Sequence, residues 1–149
     1  MQKIDVTIAK LRLLLADVTA KEAQYTTVRQ QFRNQLRRAV EYGVYGDSSL
    51  DGTLGLMAEI QQRITDTEGT LRDLTLIRTR AERELESLTL TRRIEAAKAE
   101  LQKLVARQHE LEQAGTVGPE GEELGAQIRL LRQEINEASE QAARTLAKR

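Results

Sequence analysis

Apolar side chains in the first forty-two residues recur at alternating intervals of four and three, and this rhythm constrains the fold more than any other feature. Ile4, Ile8, Leu11, Leu15, Val18, Glu22, Tyr25, Arg29, Phe32, Leu36 and Ala39 fall on one seam. A heptad seam kept over so many turns asks for a partner helix that winds around it. A disordered chain of equal charge would have sparse apolar residues without such spacing. The first helix is therefore expected over about residues 3–42, ending where glycine enters at Gly43.

The remainder keeps the rhythm. A second helix is expected over about 56–114, with Met57, Ile60, Ile64, Thr67, Leu71, Leu74, Arg78, Ala81, Leu85 and Leu88 in one register. Leu90, Ile94, Ala97, Leu101, Leu104, Gln108 and Leu111 then hold a second register, rotated from the first. A third helix is expected over about 120–148, carrying Leu124, Ile128, Leu131, Ile135, Ala138 and Ala142. Pro119 beside its start, followed by Glu120, Glu122 and Glu123, suits a helix N-terminus and its dipole. The fold class that follows is all-α: an elongated antiparallel coiled coil of three helices forming a single domain over 1–149. Residues 43–55 and 115–119 are the expected inter-helix loops.

The slip in register between Leu88 and Leu90 has two readings. Folding back at both loops brings the start of the first helix near residue 95 and the end of the third near residue 88, so the second helix becomes a spine of roughly 85 Å whose partner changes there. Alternatively one continuous coiled coil contains a stammer.

Composition supports long helices over a compact globule. Aromatic residues make up 3% of the chain, with no Trp and one Phe, whereas charged residues make up 31%. A globular core of this length usually relies on several large rings. Basic and acidic residues balance at 23 each, which offers no overall attraction to nucleic acid or an anionic membrane. The chain has no cysteine, hence neither disulfides nor thiolate metal sites. No uninterrupted apolar run of signal-peptide or transmembrane type occurs, so a soluble cytoplasmic location is expected.

Three polar residues interrupt the seams. Antiparallel pairing puts Glu22 within about a turn of Arg78, making a register pair or, alternatively, two side chains that reach outward to water. Arg29, Arg33 and Arg37, four apart, with Arg38 beside them, form a stripe that would suit an anionic partner. Residues 1–42 carry eight basic and four acidic side chains, and 56–91 carry seven acidic against five basic. That compensation favours pairing between the two helices over nucleic-acid binding, which ranks last among the functional readings. Phe32, the one ring near the stripe, sits in the seam and not in a position to stack on bases.

The 43–55 segment, GVYGDSSLDGTLG, is the more informative feature. Tyr42, Val44, Tyr45, Leu50 and Leu54 supply apolar groups there, and Asp47 and Asp51 supply acceptors. A plain connector is usually shorter and polar. The segment is either a tip that docks a partner or a cap that packs its own side chains over the end of the hairpin. GTVGPEGEE (115–123), acidic with one apolar residue, reads as an exposed turn.

No catalytic, cofactor-binding or metal-binding set is expected. The single histidine, His109, follows Gln108 near the end of the second helix, and the carboxylates other than Glu22 lie off the seams. No Ser–His–Asp arrangement can be assembled. The expectation is a non-enzymatic scaffold or adaptor that binds protein and self-associates. Leu13, Leu14, Leu76, Ile77 and Leu130 widen the apolar stripes beyond one seam, which suits a dimer of hairpins.

The other expectation is a regulatory hairpin that inserts its 43–55 tip into a larger machine. In outline, and through YGDSSLD (45–51), the first hairpin resembles the coiled-coil arm of bacterial transcript-cleavage factors, which implies docking in a polymerase channel. Its size and hairpin shape also resemble the small stalk proteins of flagellar and type III secretion ATPases, which implies a place in a secretion stalk.

Overall fold

In the computed structural model, which describes residues 3–46, 49–115 and 118–147, the chain forms three α-helices. They are α1 (Lys3–Tyr45), α2 (Leu50–Gln113) and α3 (Pro119–Ala147). No strand occurs among the described residues. The heptad seams become the buried faces. Every α1 seam position from Ile4 to Ala39 is buried or half-buried, and the α2 and α3 seams behave alike.

Two helix boundaries differ from expectation. Residues 43–45 continue α1 and residues 50–55 open α2, so most of the segment expected as a loop is helical. Three contacts explain why the glycines do not break these helices. Ser49 caps α2: its Oγ accepts from the Gly52 N–H at 3.1 Å, and its carbonyl accepts from the Thr53 N–H at 3.0 Å. Asp51 in the first turn complements the dipole. Gly43 lets the helices approach, since a Cβ there would overlap the side chain of Thr53, which is buried. At the other connection the boundaries fall close to expectation. Gly115, with φ of 70°, ends α2, and Pro119 opens α3.

The contacts divide the chain into two compact units. One is Lys10–Glu82, in which α1 and the first half of α2 run antiparallel. Its core is narrow: Val18, Ala39, Ile60, Leu74 and Ala81, with Thr53 and Thr67 also buried. The Thr67 hydroxyl donates to the Arg63 carbonyl one turn back at 2.8 Å, so burial leaves it satisfied. The other unit is Met1–Ala9 with Arg83–Arg149, its core formed by Ile8, Leu90, Leu124, Ile128 and Ala138.

Inside this second unit α2 changes partner. Asp5 of α1 pairs with Arg92 at 3.0 Å, Glu134 of α3 pairs with Arg93 at 3.1 Å, and the Thr145 hydroxyl lies 3.5 Å from Glu86. α1 and α3 therefore overlap along residues 86–92 of α2, close to the span of about 88–95 where the sequence brings them together. Leu85, Leu88 and Leu90, on either side of the register slip, are all at least half-buried there. α2 remains one unbroken helix through the change.

Candidate protein-binding surfaces

Helix continuation at the α1–α2 end alters what that end presents. Val40 and Val44 are four apart on α1, and Leu50 and Leu54 four apart on α2, so each pair shares one helix face. Tyr45 is 89% exposed, Leu50 73%, Val44 68% and Tyr42 62%. Seven of the large apolar side chains that remain exposed fall between Val40 and Leu56. Asp51 is exposed beside the cap, whereas Asp47 lies outside the described residues.

The arginine stripe is divided by its partners. Arg33 reaches Glu68 of α2 at 3.3 Å, and Arg37 donates to Asn34 on its own helix at 2.8 Å. Arg29 is half-buried at the seam and lines an open depression of about 580 Å³ with Leu71, Arg72 and Leu76. Arg38 points to the opposite side of the hairpin, where it lines a second depression with Ala39, Tyr42 and Leu56. The four arginines thus do not form one continuous surface. Arg63 lies 6.0 Å from the Phe32 ring centroid, a contact at the outer limit for attraction to a ring face.

Arg78 and Glu22 sit 2.9 Å apart, both partly exposed, across the α1–α2 seam. Water still reaches the pair, so it adds little stability. His109 is exposed and lies 3.2 Å from the Gln113 amide on the same helix face. Among the described residues no three His, Asp or Glu side chains converge to hold a metal. No helix among them is long and apolar enough to cross a membrane.

Sequence reasoning missed the Gly43–Thr53 approach. Ser49 as a capping residue with Asp51 in the first turn was the available signal for the α2 start, masked by the glycines around it.

These features define the class: an all-α protein of antiparallel helix pairs, with apolar surface displayed at one hairpin end. No protein-family model matches the chain, and neither curated proteins nor solved structures yield a significant match.

Proposed function

We propose that the protein is a non-enzymatic coiled-coil adaptor that binds another protein with the α1–α2 end of its first hairpin. The exposed apolar set around Val44, Tyr45, Leu50 and Leu54 carries this reading. An apolar cluster left open on a charged helical surface marks an interaction site in soluble proteins. Aromatic and aliphatic anchors of this kind hold most of the energy of an interface. Tyr45 and Leu50 are the anchors, and Asp51 orients the partner. Insertion of this end into a larger assembly, of polymerase-channel or secretion-stalk type, is the most specific form of the reading.

The test is site-specific photo-crosslinking in cells. A photoreactive residue at Leu54 is expected to label one discrete protein, and Tyr45→Ser with Leu50→Ser is expected to abolish that adduct. The same probe at Glu137, on the exposed face of α3, serves as the control. Equal labelling from both positions, or an adduct that survives the double substitution, would contradict the proposal.

A further inference from the structure

The two flanks of the α1–α2 seam differ in chemistry. On one flank the heptad positions Arg12, Thr19, Thr26 and Arg33 of α1 face Glu68 and Thr75 of α2, and Arg33 pairs with Glu68. That flank is polar at these positions, and its open depression of about 580 Å³ is bordered by the charged Arg29, Glu68 and Arg72 as well as Leu71 and Leu76. On the other flank Leu14, Val28 and Tyr42 occupy one heptad position of α1, and Leu56, Thr70 and Ile77 the matching position of α2. Leu14 is 42% exposed, and Leu56 and Ile77 each 46%. The register set by Glu22–Arg78 and Gly43–Thr53 puts Val28 level with Thr70 and Tyr42 level with Leu56. Lys21, Gln35 and Arg63 alternate with them, and their stems are apolar. The open depression here, about 310 Å³, is lined by Ala39, Tyr42, Leu56 and Ile60.

We infer that a second copy of the chain covers this flank, about a two-fold axis running along the hairpin, so that α1 of each copy lies antiparallel against α2 of the other. The charges bordering the flank select that symmetry. The next heptad positions outward are Asp17, Gln24, Gln31 and Arg38 on α1, and Glu59, Asp66, Asp73 and Arg80 on α2, all exposed. The stated axis sets Asp17 against the partner's Arg80 and Arg38 against the partner's Glu59. Gln24 and Gln31 then face the partner's Asp73 and Asp66, and no like charges meet. A two-fold axis across the hairpin would stack α1 on α1 and α2 on α2, bringing Asp66 against the partner's Asp73. Isologous contacts repeat every pair twice, so such a mismatch counts double.

The flank reaches the size of the smaller specific interfaces. Residues 10–42 of α1 extend roughly 50 Å at 1.5 Å per residue, and two helices about 10 Å apart give a face of about 500 Å² per copy, about 1,000 Å² in all, the lower end for a specific contact. This surface is separate from the docking set at Val44, Tyr45, Leu50 and Leu54, so either proposal can fail alone.

The sequence contains no cysteine, which makes single-cysteine variants clean probes. Full-length chains carrying Gln31→Cys and Asp66→Cys would be mixed at micromolar concentration and treated with a short bismaleimide. A cross-linked pair is expected from this mixture and not from Gln24→Cys mixed with Gln31→Cys, with light scattering giving the mass of two copies. Arg38→Glu is expected to weaken dimerisation about tenfold, counting both copies of the pair, and adding Glu59→Arg to restore most of it. Glu59 also reaches Arg63 of its own helix at 2.9 Å, so the double variant is compared with Glu59→Arg alone as well. A monomer mass, cross-linking of the Gln24 and Gln31 pair, or no restoration by the second reversal would overturn the inference.

Discussion

The two hairpin connections of this chain use glycine to opposite ends. At the α1–α2 end, Gly43 is required by contact, because Thr53 occupies the space a side chain would need. The helices close tightly there, and the apolar residues around them are turned outward. At the α2–α3 end, Gly115, Gly118, Gly121 and Gly125 have nothing within 4 Å of a built Cβ. The surroundings are acidic, with Glu110, Glu112, Glu120, Glu122 and Glu123 all exposed. An open depression of about 400 Å³ remains beside Leu111, walled by three of those glycines and bordered by Glu112 and Glu122. A tight end that displays large apolar groups has the character of a contact surface. A loose, acidic, solvated end has the character of a turn.

Substitutions at the glycines would sharpen this contrast most. Gly43→Val forces a branched side chain into Thr53 and is expected to cost about 1–3 kcal/mol, the range for overpacked sites, read by denaturant unfolding. A neutral result would mean the helices do not approach there. Gly125→Ala, at an open helical position of α3, is expected to gain about 1 kcal/mol through helix propensity. A loss in that melt would show that the second end is packed after all.

The smallest effect concerns register. Glu22 and Arg78 are close but partly exposed, so screening limits the pair to about 0.5 kcal/mol. Reversing both charges should recover most of what either reversal loses, measured as a double-mutant cycle. Independent effects would mean that the pair does not hold the register.

Much of this architecture was legible because heptads report burial directly. A seam position is half-buried or better whether it holds Ile8, Glu22 or Ala39, so spacing alone located the buried face of each helix. The register slip located the change of partner along α2 for the same reason. Helix ends were less legible. Gly43, Gly52 and Gly55 weigh against helix by intrinsic propensity, and what offsets them is a cap at Ser49 and a contact with Thr53 that exists only once α1 and α2 are paired. The arginine stripe shows the same limit. Four arginines close in sequence divide between the two flanks of a hairpin, and only the paired structure assigns Arg33 to Glu68 and Arg38 to the opposite side. For the candidate site, spacing identified Tyr45 and Leu50 as tip residues. Whether they faced solvent or each other depended on where the helices stopped.

The apolar α1–α2 end is displayed and not folded upon itself. Thermal unfolding of the chain carrying Tyr45→Ser and Leu50→Ser checks this, because both side chains already face water. A Tm within about 2 °C of the parent is expected, since no buried area is lost. A fall of about 8 °C or more, the effect of removing two packed apolar side chains, would contradict it and make the end a lid over its own hairpin.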